Sequence, residues 1–461
     1  MSEINYHDII DKIKPGKWEK KAIEEFSDHL IGIINATAIR EGIDAEAVLV
    51  GSVAKDTWLS GKADVDIFIK FPLETSEDYL KEKGLYLGSE CIKNMGGTAE
   101  YRYASHPYVT GLIAELEIDF VPCYNIKDTK KIKSAVDRTI PHTEYVKKHL
   151  TPEEADEVLL LKCFMGTIGT YGSEFKVGGF AGYLCELLVI HYKTFLKVLE
   201  SAAEEWKPGY QIDLEDHGTA NLFTEPLVVV DPVDSNRNVA AALSLQKMSD
   251  FIVASRNFIE NQSPLYFEKK EVKTDLSQIK TEFTGRGTKT LILLFKAPDI
   301  PADALHPQIK KTAKSIIRLV DRNGFKTFDG DYWTDEKENI IILLEFETWK
   351  LPRIKKHYGP PIWSKEHEKK FLEKYKEKAW LEEDRWVAVV EREYTEVQNL
   401  LKTALSWEKI GLLKFGKHIK NNILDRHELM GLNEFLVQNK VKKEVLEFLY
   451  LYLNKNWNLW R

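Results

Sequence analysis

Two pairs of acidic side chains carry the clearest chemistry in the sequence. Asp64 and Asp66 alternate with apolar residues in Asp64-Val65-Asp66-Ile67-Phe68-Ile69, and Glu117 and Asp119 do so in Leu116-Glu117-Ile118-Asp119-Phe120-Val121. Proline follows each run, at Pro72 and Pro122, so both read as strands. A period of two puts Asp64 and Asp66 on one face and Val65 and Ile67 on the other, and it pairs Glu117 with Asp119 in the same way. Carboxylates held this close repel one another unless a cation lies between them. Mg²⁺ suits such a site, because it is held by one or two carboxylates plus substrate phosphates. Three acids from two neighbouring strands could hold two ions, which would stabilise the attacking and leaving oxygens of a phosphoryl displacement. The residues alone do not choose between Glu117 and Asp119 as the third acid.

A D-x-D pair by itself is most often a solvated strand edge. Here it has company. The short strand Ala45-Glu46-Ala47-Val48-Leu49-Val50 breaks at Gly51-Ser52, which reads as a helix start, and eleven residues separate Ser52 from Asp64. Backbone N–H groups and a serine hydroxyl at such a turn form an anion site. Lys162 sits inside the apolar run Val158-Leu159-Leu160-Leu161-Lys162-Cys163-Phe164-Met165. It is either a snorkelling stem or a buried cation in need of a partner. Arg237 reads as a loop residue with Asp231 or Asp234 as its salt-bridge partner. His142 reads as a loop histidine after Ile140-Pro141, and Tyr171 as a turn residue beside Gly172.

The elements that must position these groups follow from periodicity. Ile23, Phe26, Leu30, Ile33 and Ala38 mark a helix that Gly42 ends. Thr151-Pro152-Glu153-Glu154 is an N-cap, a proline and an acidic first turn, opening a helical stretch over residues 152 to 205. Gly178-Gly179 breaks that stretch into two apolar helices. Beyond about residue 265, strand-like runs at Thr290–Phe295 and Ile340–Phe346 alternate with charged helices. Between Lys350 and Lys378 there are ten Lys or Arg against four Glu, interleaved with Tyr358, Trp363, Phe371 and Tyr375. That mixture suits RNA, where phosphate contacts and stacking carry affinity, and it also suits a solvated charged helix.

Composition bounds the rest. A chain of 461 residues, 43% of them hydrophobic, is too long for a single core. Its net charge of −7 excludes little, since a local basic face still binds phosphate. The four cysteines, Cys91, Cys123, Cys163 and Cys185, form no C-x-x-C pair and read as reduced, buried thiols. The polar start Met1-Ser2-Glu3-Ile4-Asn5 carries no signal-peptide pattern, and no apolar run approaches 18 residues, so a cytoplasmic protein with no membrane span is expected.

The run Gly51-Ser52-Val53-Ala54-Lys55-Asp56-Thr57-Trp58-Leu59 followed by Asp64-Val65-Asp66 resembles the signature of the polymerase-β-type nucleotidyltransferases. The wider chain resembles the archaeal-type (class I) CCA-adding enzymes, in Ala104–Val109, Glu117–Tyr124, Ile132–Thr139, Gly179–Leu188 and Val230–Ala240. The likeness is strong to about residue 245 and thinner beyond. It implies a multidomain α/β and α+β chain: a nucleotidyltransferase head over residues 1–150, a helical neck over 151–265, a body over 266–306 and 386–461, and a tail over 307–385. It implies two Mg²⁺ ions on Asp64, Asp66 and Asp119. It implies nucleotide contacts from Gly51, Ser52, Lys55, His142, Lys162 and Tyr171, with Arg237 at the base edge. The partners implied are tRNA, CTP and ATP, and a homodimer is left open. The family often has Glu where this chain has Asp64 and Arg where it has Lys55, which shortens one reach and loses one planar fork. Two rival readings are a poly(A)- or poly(U)-type tailing polymerase and an inactive RNA-binding module. The motifs after residue 130 argue against the first, and the three aspartates against the second.

Overall fold

The computed structural model describes residues 4–103, 107–126, 132–438 and 441–461. The motif residues Ala104, Ser105 and His106 and the N-terminal Met1, Ser2 and Glu3 lie outside the described residues. The chain divides into two compact units, Met1–Lys270 with Asn458–Arg461, and Glu271–Trp457.

The first unit opens with helices α1 (Tyr6–Ile13) and α2 (Lys17–Arg40). The apolar stripe of α2 runs through Ile23, Leu30, Ile34 and Ala38 onto the sheet, and Gly42 follows with φ +64°. The helix starts six residues before the first stripe residue, because its first turns are charged and periodicity does not register them. Then come β1 (Glu46–Val50), the one-turn helix α3 (Gly51–Ala54), β2 (Val65–Phe71), α4 (Glu77–Asn94), β3 (Thr98–Tyr103), β4 (Pro107–Ile113) and β5 (Leu116–Tyr124). They form a five-stranded sheet in the order β1-β2-β5-β4-β3. Only β2 and β5 pair in parallel. The three expected strands are there, and the β3–β4 hairpin, whose alternation is weak, adds two more. Ile67, Ile69, Phe71, Ile118 and Phe120 are fully buried beneath α2 and α4.

Helices α5 (Thr139–His149), α6 (Pro152–Thr167), α7 (Gly182–Tyr192), α8 (Phe195–Glu204) and, after a small sheet, α9 (Leu245–Glu260) make a second layer of this unit. Thr151 and Glu154 form a capping box at the start of α6, worth about 1 kcal/mol. The neck expected to be helical over residues 151–265 is not wholly so. Residues 210–238 form β6 (Tyr210–Asp213), β7 (Leu227–Asp231) and β8 (Asp234–Asn238), in the order β6-β7-β8. The run Leu227-Val228-Val229-Val230 is buried on both faces, and β-branched side chains favour the strand there.

The second unit contains α10 (Leu276–Gly285), β9 (Lys289–Lys296), α11 (Ala302–Arg322), β10 (Lys326–Thr334), β11 (Asn339–Thr348), β12 (Ile354–Pro361), α12 (Lys365–Tyr375), β13 (Ala379–Glu382), β14 (Arg385–Glu391), α13 (Val397–Ala404), α14 (Ile419–Asp425), β15 (His427–Gly431), α15 (Leu432–Gln438) and α16 (Lys443–Leu453). One antiparallel sheet has the order β10-β11-β9-β15 and another the order β12-β14-β13. The basic, aromatic-rich segment is thus strand β12 followed by helix α12. Phe371 is buried, while Tyr358 and Trp363 face solvent. Among the described residues no helix is long and apolar enough to cross a membrane. All four cysteines are free thiols. Burial pushes Cys91 and Cys185 up to about 12 and Cys163 to about 11.

A fully buried acid ties this unit together. Glu345 on β11 accepts from Arg286 at 2.8 and 3.2 Å, from Thr288 Oγ1 at 2.5 Å and from the Tyr452 hydroxyl on α16 at 2.7 Å. Breaking a buried ion pair from one side costs about 3–5 kcal/mol, whereas losing one hydrogen bond to a charged group costs about 1.5–3 kcal/mol. Glu345→Ala is therefore expected to lower stability in urea unfolding, followed by circular dichroism, by clearly more than Tyr452→Phe. Equal losses would mean that Arg286 contributes nothing.

Candidate active site

Strand β1 turns directly into α3 at Gly51, whose φ is +75°. A Cβ there would lie 2.1 Å from Asp66 Oδ2, so the carboxylate rests against bare backbone and only glycine fits. Parallel pairing of β2 with β5 sets Asp66 opposite Asp119. On the other side of β5, Thr110 lies opposite Asp119 and donates its hydroxyl to Oδ1 at 2.6 Å. Asp64 sits just ahead of β2. Glu117 is engaged differently: it takes an ion pair from Arg102 and its side chain is 56% exposed, although its charge still reaches Asp64 and Asp119. The geometry thus separates the two acids that the alternation left equivalent.

Burial raises the Asp66 carboxyl first, and the charges of Asp119 and Asp64 raise it further against Lys55, to about 7. Asp64 is raised by burial and then by Glu117. Asp119 is raised by burial, with the Thr110 hydrogen bond and Arg102 pulling back. Acids that hold protons for want of a counter-charge fit a divalent cation. Among the described residues no three His, Cys, Asp or Glu side chains already enclose a single point. Mg²⁺ held by one or two carboxylates takes further oxygens from substrate phosphates and water.

The cations lie in two further clusters of the same unit. Lys162 on α6 is only 2% exposed and so is no snorkelling stem. Its ammonium donates to Thr57 O at 2.8 Å, to Thr57 Oγ1 at 3.3 Å and to Glu186 Oε1 at 3.4 Å. Lys55 donates to Glu186 Oε2 at 2.5 Å. Tyr171, just beyond α6, bridges to Phe180, and a Cβ at Gly182 would lie 3.2 Å from its hydroxyl and 3.5 Å from Lys162 Nζ.

In the other cluster the buried Asp231, at the end of β7, accepts from His142 Nε2 at 2.8 Å and from Arg237 at 2.7 Å. The His142 ring stacks on Tyr183 with centroids 4.0 Å apart. Burial would raise Asp231, but His142 and Arg237 outweigh it and hold the acid below its usual value. Burial lowers His142 despite Asp231, favouring the neutral ring. Two expectations are corrected here. His142 lies in the first turn of α5, where Pro141 is tolerated because early N–H groups have no helical partner. Arg237 lies on strand β8, which pairs with β7, and not in a loop. Of its two proposed partners it takes Asp231, while Asp234 takes Arg138 at 2.7 Å.

Residues 31–142 match the nucleotidyltransferase domain, residues 156–268 the second domain of tRNA nucleotidyltransferase, and residues 286–431 the C-terminal domain of the CCA-adding enzyme. The chain is 50% identical to the CCA-adding enzyme of Methanothermobacter thermautotrophicus across 98% of both chains. It is 36% identical to that of Methanosarcina acetivorans, over 90% of this chain and 91% of the relative. Identity to that of Methanocaldococcus jannaschii is also 36%, over 91% and 96%. This chain belongs to the archaeal CCA-adding enzyme family.

Nucleotidyltransferases generally use divalent metal ions, in keeping with the crowding of Asp64, Asp66 and Asp119. In this CCA-adding family member the first unit gathers every site residue singled out in the sequence. What the sequence reading missed is the pair of buried acids that hold the cations. Glu186 is a lone acid in the apolar helix Gly182–Tyr192, the same anomaly in sequence as Lys162 in its own apolar run. In the sequence Asp231 reads only as a salt-bridge partner for Arg237, and its bond to His142 has no signal at 89 residues' separation.

The raised Asp66 has a consequence for stability. Between about pH 4 and 7 the folded chain keeps a proton on Asp66 that the unfolded chain releases, so the contribution of Asp66 to stability falls as pH rises through this window and levels off above it. Asp66→Asn removes the penalty. Without metal it is expected to be more stable than wild type by roughly 1–3 kcal/mol at pH 8, with the gain shrinking toward pH 5. Added Mg²⁺ should raise the melting temperature of wild type at pH 8 and leave Asp66→Asn unmoved. A pH-independent difference between the two would remove Asp66 from the repulsive cluster.

Proposed function

We propose that this chain adds C, C and A to the 3′ end of tRNA from CTP and ATP, releasing pyrophosphate. The observation that carries the reading is the 50% identity to a CCA-adding enzyme over nearly the whole of both chains. The carboxylate cluster at the Asp66–Asp119 register supplies chemistry to match.

In this reading Asp64, Asp66 and Asp119 hold two Mg²⁺ ions, which when bound would neutralise charge developing on the transferring phosphoryl group and its entering and leaving oxygens. The chain's own residues do the rest by positioning. The Gly51–Ser52 turn offers backbone N–H groups and a hydroxyl to the triphosphate. Because α3 is a single turn, these local donors matter more than a helix dipole. Lys55, Lys162 and Tyr171 line the phosphate side. His142 and Arg237, aligned by Asp231, face the base. Asp119 accepts from Thr110, which fixes its carboxylate near the tRNA 3′-hydroxyl it would help activate. Residues 1–150 serve as head and 151–265 as neck, while 266–306 with 386–461 and 307–385 bind tRNA as body and tail. The protein works in the cytoplasm.

The direct test offers tRNA lacking its 3′ end, with Mg²⁺ and CTP, ATP or both, and reads product lengths on a gel. Two additions with CTP and a third with ATP are expected. Long homopolymer tails would point to a tailing polymerase instead, and no extension to an inactive RNA-binding chain. Asp64→Ala, Asp66→Ala and Asp119→Ala should each lower the rate far more than tenfold, a loss well above ~1.4 kcal/mol, with tRNA binding nearly unchanged. A variant that keeps a tenth of the rate is not a ligand.

Grip on tRNA by the basic segment is tested separately. Lys350, Arg353 and Lys356 are engaged by Glu396, Glu391 and Glu382, so exposed Lys355, Lys369 and Lys370 are the better probes. Their joint replacement by Ala should weaken tRNA binding about equally for different tRNAs. It should also flatten the salt dependence by up to about one slope unit per lost phosphate contact. Affinity for CTP should hold. An unchanged slope would leave α12 as a solvated helix.

A further inference from the structure

We propose that Glu186 is the positioning residue of the phosphate pocket: its buried carboxylate pins two ammonium groups, one from the segment after α3 and one from α6, and so presents them as a fixed pair of cations. The inference rests on the nucleotide-binding reading above. Glu186 itself reaches no reacting atom in that reading, and its effect passes through Lys55 and Lys162.

The geometry is a three-way clamp. Glu186 is fully buried on α7. Its Oε2 takes Lys55 at 2.5 Å, and its Oε1 takes the Thr57 hydroxyl at 2.6 Å and Lys162 at 3.4 Å. Thr57 in turn accepts from Lys162 through its carbonyl and its hydroxyl. Thr57 N returns to Ser52 O at 3.0 Å, so the clamp also fixes the end of the Gly51–Ser52 turn. Each of the three long side chains is thereby held in one geometry before any ligand arrives, which lowers the ordering cost of binding.

The charges explain why an acid, and not a neutral group, is needed. Two buried ammonium groups share the one carboxylate that touches them, so neither is fully neutralised by it, and a polyanion such as a triphosphate completes the balance. The groups facing Lys162 are Glu186 and Cys185 from α7, Lys55 and Thr57 from the segment after α3, and Tyr171 beyond α6. Burial holds the Cys185 thiol and the Tyr171 hydroxyl in their neutral forms. Glu186 is then the carboxylate that touches both cations. Burial lowers Lys162, and Glu186 opposes that. Burial would raise Glu186, but Lys55 and Lys162 overcome it and keep the acid ionised. Lys55 also feels the charge of Asp66 and lies over the Tyr183 ring, so with Glu186 neutralised it is Lys162, left without a carboxylate beside it, that gives up its proton. A triphosphate must then bring that proton back.

This predicts a pH signature. CTP binding to the full-length chain, with Mg²⁺ and without tRNA, is measured by equilibrium dialysis between pH 7 and 9. Wild type should change less than threefold. Glu186→Gln, which keeps the shape and removes the charge, should weaken by at least about tenfold over the same range, because binding now takes up a proton. Parallel profiles for the two proteins, whatever their absolute affinities, would overturn the proposal. Should Glu186→Gln fail to fold, the double variant Glu186→Gln with Lys162→Met decides. If the double variant folds, an unpaired cation was the fault and the proposal stands; if it does not fold, Glu186 serves shape and the proposal falls. The function reading fails independently: wild-type protein that binds CTP but extends no shortened tRNA refutes that reading, while the Glu186 profile remains measurable.

Discussion

The parallel pairing of β2 with β5 is the constraint on which the site depends. It is the one parallel contact in an otherwise antiparallel sheet, and it brings Asp66 level with Asp119. A slip of one residue would turn every side chain of β2 to the opposite face. Fully buried Ile67 and Ile69 forbid that slip, so the same apolar residues that build the core also fix the acids against each other. The electrostatic cost is tolerated because Gly51 leaves room for Asp66 and Thr110 satisfies Asp119.

Around these acids the first unit repeats one device. A buried carboxylate collects cations from distant parts of the chain: Glu186 holds Lys55 and Lys162, and Asp231 holds Arg237 and receives a hydrogen bond from His142. In both cases the partners' influence outweighs the effect of burial on the acid. The second unit uses the device for cohesion alone, with Glu345 joining Arg286, Thr288 and Tyr452. The same arrangement thus recurs in both units, and Glu186 differs from the other two acids in touching a pair of cations.

Much of this was legible in the sequence where a local pattern carried it. Period-two alternation gave β2 and β5 together with the face their acids share. The Thr151–Glu154 box gave the start of α6, and apolar runs gave β9 and β11. Contacts between distant residues left no such trace. Glu117 and Asp119 are equivalent by alternation, and partners on other strands distinguish them: Arg102 takes Glu117, while Thr110 and the register with Asp66 take Asp119. His142 looked like a loop residue because Pro141 reads as a breaker, although proline is at home in a first helical turn. The small β6–β8 sheet was hidden because its apolar run is short enough to pass for part of a helix.

The free thiols have a practical meaning. With Cys91, Cys163 and Cys185 all held far from their reactive thiolate form, and Cys123 buried, the native chain should be nearly silent toward maleimides at neutral pH. Cysteines introduced at one exposed position in each unit would then carry a pair of fluorophores or spin labels alone. Distances between the two units could be followed during catalysis without first stripping the protein of its own sulfur.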